Sequence, residues 1–223
     1  MSRGDDSRAA LVDHGTQLML RSGYAGTGLV ELLEAAGVPK GSFYNHFESK
    51  EAFGVELVRR YYDTHDRRLV SLIEQADRRP LTRLHSYFEG LRQSAVDASP
   101  QVRGCLLGMF ALEMAGSSER LRESVSDAFS RWQARLAELL RQAQTAGELD
   151  AGRDPQTLAA MLLDGWEGAL MRARVTHDLD GLQNFIDLAF TQLLVPASRP
   201  RSTSNDRHAR NQTSSRRPAG VDF

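Results

Sequence analysis

The sequence predicts an all-α protein: an N-terminal three-helix unit with a helix-turn-helix, followed by a larger C-terminal helical domain. Three observations lead there. Apolar residues recur at helical spacing, punctuated by Gly and Pro, and no convincing period-two run interrupts them. Residues 37–50, Gly-Val-Pro-Lys-Gly-Ser-Phe-Tyr-Asn-His-Phe-Glu-Ser-Lys, join a short apolar helix to a polar one through a single turn. Beyond Arg78-Arg79-Pro80 the segments between breaks lengthen, as in a larger helical bundle.

The first helix is expected over about Asp6–Ser22, with Leu11, Gly15, Leu18 and Met19 on one face and Gly23 as its stop. Thr27 is placed to cap a second helix, Gly28–Ala36, whose Leu29, Leu32, Leu33 and Ala36 face inward. Gly37 supplies the tight turn, and Pro39 suits the first position of the third helix. Ser49 caps a long fourth helix reaching toward Gln75, with Glu51 in its first turn. Later helices are expected at Leu81–Ala98, Val102–Ala115, Glu119–Ala146, Pro155–Val175 and Leu182–Leu194. These give a helix-turn-helix head over residues 5–65 and a larger helical domain over 66–196, to which the effector and dimer candidates named below belong. Residues 197–223 form a basic tail rich in Ser, Thr, Asn, Pro and Arg, expected to be disordered.

Composition narrows the class. Hydrophobic content of 41% and charged content of 26% are ordinary for a globular protein. No apolar run reaches membrane-spanning length and the start is polar, so the cytoplasm is expected and no membrane partner. A single cysteine excludes an internal disulfide and a Cys-rich metal cluster, and no cofactor motif is present. The net charge is −1, so affinity for nucleic acid must come from where charges sit. The only two lysines, Lys40 and Lys50, both lie in the helix-turn-helix.

At 100° per residue Phe43 and Phe47 fall together on the third helix, with Pro39 nearby, and would pack on the first two helices. Gly41, Tyr44, Asn45 and Glu48 point the other way, flanked by Ser42 and Lys40. Gly and Asn are poor helix formers, so such an exposed face is costly unless something binds it. The chemistry suits a major groove. Gly41 allows close backbone approach, Asn45 can pair with adenine N6 and N7, and Lys40 can donate to guanine O6 and N7. Tyr44, Ser42, His46, Lys50 and, from the second helix, Thr27 are suited to phosphate oxygens.

This region resembles the TetR family of transcriptional regulators over about Arg8–Phe53. The matching residues are Gly23-Tyr24, Thr27, Leu32, Ala36-Gly37-Val38, Lys40-Gly41-Ser42-Phe43-Tyr44, His46-Phe47 and Ser49-Lys50-Glu51. Gly28, Leu33 and Pro39 depart from the family's usual residues. The resemblance implies a homodimer that represses neighbouring genes from a palindromic operator until a small molecule changes the separation of two DNA-binding heads. An adaptor without an effector is the alternative. A cysteine enzyme using His85, His65 or His177 as base is disfavoured, because no phosphate cradle, zinc pair or nucleophile elbow supports it.

Cys105, within Arg103-Gly104-Cys105-Leu106-Leu107-Gly108-Met109-Phe110, also resembles the branch of that family containing N-ethylmaleimide-responsive and acrylate-responsive repressors. Beside Arg103 at a helix start its thiol pKa is expected to be depressed. Packing as a small buried hydrophobe is the competing reading. Tyr62, Tyr87, Phe88, Met109, Phe110, Trp132 and Trp166 are the further candidate pocket residues, each also suited to a core. For the dimer, Leu158, Leu162, Trp166 and Leu170 form one apolar face, and Phe185, Ile186 and Phe190 form another.

Overall fold

The computed structural model describes residues 3–98 and 104–196. The tail expected to be disordered, and Arg103, lie outside the described residues. In order, the elements are α1 (Arg3–Gly26), α2 (Leu29–Ala36), α3 (Lys40–His46), α4 (Lys50–Glu74), α5 (Pro80–Asp97), α6 (Leu106–Met114), α7 (Glu119–Thr145), α8 (Pro155–Thr176) and α9 (Asp180–Leu188). A π-helical turn, Ala189–Leu193, continues α9. No strand occurs among the described residues.

Local chemistry explains the starts and stops. The Ser49 hydroxyl accepts the Ala52 N–H at 3.0 Å to start α4, and the Ser118 hydroxyl accepts that of Leu121 at 3.1 Å to start α7. Asp154 does the same for Thr157 at the head of α8, at 2.9 Å. Gly37 ends α2 in the left-handed region, φ 64°. Gly23, at φ 78° and ψ 172°, breaks α1 inside its assigned span, so the expected stop is a kink followed by one further turn. Pro39 keeps an extended ψ of 147° and precedes α3 as its N-cap instead of occupying the first helical position.

The head closes on an aromatic knot. Phe43, Phe47 and Phe53 meet at ring separations of 4.9–5.5 Å, with Leu11, Met19 and Leu32 sealed around them. Burial of each such side chain stabilises the fold by roughly 1.5–3 kcal/mol. Gly15 is required beneath this knot, because a Cβ there would stand 2.4 Å from the Phe53 ring. In the larger part, α4 runs along α7, with α5 and α8 packed on α7 and α9 on α8. The 65/66 boundary falls inside α4, so no linker separates head from body.

Two expectations change here. The helix placed over Val102–Ala115 begins only at Leu106, since Gly104 is left-handed at φ 81° and Cys105 is extended at ψ 130°. The faces assigned to the dimer are inward-facing. Leu158, Leu162, Trp166, Leu170 and Ile186 are buried within the protomer, and the half-buried Phe185 and Phe190 pack on Phe88 at 5.4 and 6.4 Å. α8 and α9 bury these rows against each other and the helices beneath. Their outward side carries Met161, Gly168, Met171, Val175 and Leu188 instead, with Val175 77% exposed.

Candidate nucleic-acid interface and effector cavities

α3 brings six of the expected DNA-facing residues onto seven positions. Phe43 is its buried anchor, and Tyr44 leans edge-on against Phe43 at 5.3 Å while remaining 53% exposed. Lys40, Gly41 and Asn45 are exposed, and nothing lies within 4 Å of where a Cβ on Gly41 would stand. Ser42 and His46 are half-buried on the flanks. Glu48 is exposed on the outer face as expected, and there it pairs with Arg120 at the start of α7.

Thr27 and Lys50 are used differently from the expectation. Thr27 is 1% exposed and its hydroxyl donates to the Gly23 carbonyl at 2.7 Å, so it neither caps α2 nor reaches a phosphate. Gly28 is the N-cap of α2. The Lys50 ammonium donates to the Tyr24 and Thr27 carbonyls at 2.7 and 2.6 Å and sits 4.6 Å from the centre of the Tyr24 ring. Burial lowers its pKa, an effect the nearby Glu113 charge opposes. The break at Gly23 exposes carbonyls that these two side chains satisfy.

The same segment is gripped by the body. Glu113 on α6 accepts the Ala25 N–H at 2.9 Å, and a Cβ on Gly23 would stand 2.2 Å from that carboxylate. Gly23 is thus needed for both its positive φ and its closeness to Glu113. Arg174 on α8 donates to the Leu20 and Arg21 carbonyls at 3.0 and 3.2 Å. Tyr24 packs edge-on against Phe110 at 5.4 Å.

Cys105 forms a wall of two cavities. One, about 340 Å³, is lined by α4, α5, α7 and α8 and includes Tyr61, His65, Arg68, Ser94, Trp132 and Trp166. The other, about 310 Å³, lies where α6 and α8 meet the end of α1, with Arg21, Gly23, Met109, Glu113, Glu167 and Arg174 in its lining. Of the candidate pocket residues, Cys105, Met109, Trp132 and Trp166 line one or both. Tyr62, Tyr87, Phe88 and Phe110 line neither and are fully buried core.

The cavity electrostatics are set by burial. Cys105 is 5% exposed, and its thiol is pushed well above the ordinary value by desolvation, with the Glu167 charge adding to it. This reverses the expected depression. Glu167 is raised by burial to about 7, and the His65 imidazole is lowered to about 4 by burial and by Arg68. His65 stacks on Trp132 at 5.1 Å, and the buried Trp132 Nε1 has no acceptor among the described residues.

Sequence reasoning missed Glu167, Arg174, Glu113, Tyr61 and Arg68 as cavity residues, and named His65 only as a base of the disfavoured enzyme. A signal for two of them was present: Leu163, Glu167, Leu170 and Arg174 follow i, i+4, i+7, i+11 spacing, placing two charges in an apolar row.

Comparison with known proteins agrees with this architecture. Residues 11–57 match the model of bacterial regulatory proteins of the tetR family, and residues 80–189 match a tetracyclin repressor-like C-terminal domain. The transcriptional repressor DhaR of Mycobacterium sp. (strain GP1) is 34% identical over 84% of this chain and 92% of its own length. A crystal structure of a TetR regulatory protein from Rhodobacter sphaeroides superposes with a TM-score of 0.79 at 34% identity, covering 85% of this chain and 99% of that one. The reduced form of Escherichia coli NemR superposes with a TM-score of 0.77 at 30% identity, over 87% and 100% of the two chains. The chain belongs to the tetR family of bacterial regulatory proteins and is a helix-turn-helix, DNA-binding regulator of transcription.

Proposed function

We propose that this protein is a repressor that binds a palindromic operator as a homodimer and leaves it when a small, electrophilic molecule enters the Cys105 cavities. It works in the cytoplasm and is not an enzyme. The head corresponds to about residues 5–65, with Lys40, Gly41, Ser42, Tyr44, Asn45 and His46 meeting DNA, and the remainder up to 196 serves effector and dimer. The observation that carries this reading is the shared position of Cys105. It lines an aromatic cavity on one side, and on the other a cavity whose remaining walls include the Glu113 and Arg174 grips on α1.

A ligand shifts the equilibrium only by its differential affinity for two states, commonly about 1–3 kcal/mol of coupling. A molecule bound beside Glu113 and Arg174 changes the contacts that fix the end of α1, and so the tilt of the head. α4, continuous from head to body, provides the second path. For the dimer, the outward row of Met161, Gly168, Met171 and Val175 on α8, with Leu188 on α9, is the apolar surface that a two-fold mate would cover.

Selection of bound duplexes from a random pool tests the reading, followed by release of the selected duplex by electron-poor alkenes. A two-fold symmetric consensus, released from wild type and retained by Cys105→Ser, is expected. An asymmetric consensus argues against the dimer. Equal release from both proteins removes Cys105 from the mechanism.

A further inference from the structure

We infer that Glu167 takes the proton from the Cys105 thiol as an electron-poor alkene in the adjoining cavity adds to the sulfur; this rests on the reading of Cys105 as the effector-sensing group. The geometry is specific to a missing side chain. Cys105 precedes α6 as its extended N-cap, and Glu167 reaches across from α8 to the backbone of Gly108. A Cβ on Gly108 would stand 2.6 Å from Glu167 Oε2 and 3.9 Å from the Cys105 Cβ. Glycine at 108 therefore admits the carboxylate beside the thiol, and both line the cavity at the end of α1.

Glu167 Oε1 is sealed from solvent and has no hydrogen-bond partner among the described residues. A buried polar oxygen without a donor costs about 1–3 kcal/mol. Such a group is explained when a proton or a donor reaches it during function.

The other titratable groups facing the pair do not fill this role. Tyr61 and His65 approach from α4, Glu113 from α6, Arg174 from α8 and Arg21 from α1. The Tyr61 phenol is pushed well above its ordinary range by burial, with the Cys105 and Glu167 charges adding, so it keeps its proton. His65, held near 4, is a weak base. Arg174 and Arg21 carry guanidinium groups, which donate hydrogen bonds and accept none. Glu113 is engaged by the Ala25 N–H. Glu167, near 7, is ionised in part at neutral pH and is matched to receive a proton there.

The step balances without an oxidant. The Cys105 S–H bond breaks and its proton passes to a Glu167 oxygen. The sulfur lone pair forms a bond to the β-carbon of the alkene, and the π electrons move to the α-carbon and its carbonyl as an enolate. The protonated Glu167 then gives the proton to the α-carbon and returns to carboxylate, so S–H has added across C=C. With its thiol protonated at rest, Cys105 reacts slowly with peroxide, because the thiolate is the nucleophile. The alkene brought alongside Glu167 reacts faster.

The test is the rate of N-ethylmaleimide addition to the full chain, followed by intact mass from about pH 6 to about pH 10, spanning the ranges of a raised carboxyl and a thiol. The chain has one cysteine, so every cysteine adduct reports Cys105. For wild type the rate should rise as pH passes about 7, the Glu167 value, and then level off. Glu167→Gln should be slower at neutral pH by about tenfold or more, with its rise displaced to the range of thiol ionisation. Glu167→Asp, which keeps a base on a shorter arm, should fall between. Gly108→Ala, whose methyl displaces the carboxylate, should resemble Glu167→Gln and replaces it if that variant fails to fold by thermal unfolding. Equal rates and pH profiles for wild type and the folded variants overturn the role of Glu167. A wild-type protein that takes up no reagent overturns the reading of Cys105 itself.

Discussion

The head and the body arrange polar and aromatic groups in opposite senses. In the head, Phe43, Phe47 and Phe53 are interior while Lys40, Tyr44 and Asn45 face solvent. In the body, Met161, Val175 and Leu188 are outside, and Cys105, His65, Glu167 and Trp132 line cavities. A surface that must meet a polyanion needs its donors outward on a rigid support. A chamber that must detect a small molecule needs polar atoms that stay incompletely satisfied until the ligand comes. The two are joined where α1 breaks at Gly23, a segment that Lys50, Glu113 and Arg174 all hold.

The largest expected effect comes from the apolar exterior of the body. Met161→Glu with Val175→Arg should give monomers by analytical ultracentrifugation and weaken operator binding by on the order of a hundredfold or more, through lost bivalency. A dimer that survives both changes would mean that this face is merely exposed.

A smaller effect separates the two lysines of the helix-turn-helix. Lys40→Ala should reduce the slope of log affinity against log salt by about one, as for one lost phosphate or base-edge cation. Lys50→Met should leave that slope unchanged and lower thermal stability instead, because two buried carbonyls lose their donor at about 1–3 kcal/mol. The reverse pattern would return Lys50 to the DNA surface.

Legibility in the sequence followed the range of the interactions. α3 and its inward Phe43 and Phe47 were readable from i, i+4 spacing, and Ser49 from its capping position, because each depends on neighbours within one turn. Thr27 and Lys50 were misassigned because their acceptors exist only once Gly23 breaks α1 and α4 comes alongside. The partner of Cys105 lies on a different helix, admitted by the absent side chain of Gly108, and no local pattern announces it. On α8 the stronger apolar row was taken for a dimer face. It is core, and the weaker row of Met161, Gly168, Met171 and Val175 is the one left outside. Hydrophobicity alone does not say which of two rows meets the protomer's own helices.

The outward polar face of α3 is the claim on which regulation depends. It is tested most directly by the affinity of wild type, Tyr44→Ala and Asn45→Ala for the selected operator and for unrelated duplex, at fixed moderate salt. The expected result is a loss of operator preference of about 1–3 kcal/mol for Asn45→Ala, the base reader, and for Tyr44→Ala weaker binding of both duplexes alike, as for a lost phosphate contact, with both variants folded because both side chains are exposed. An unaltered preference in folded Asn45→Ala would contradict it.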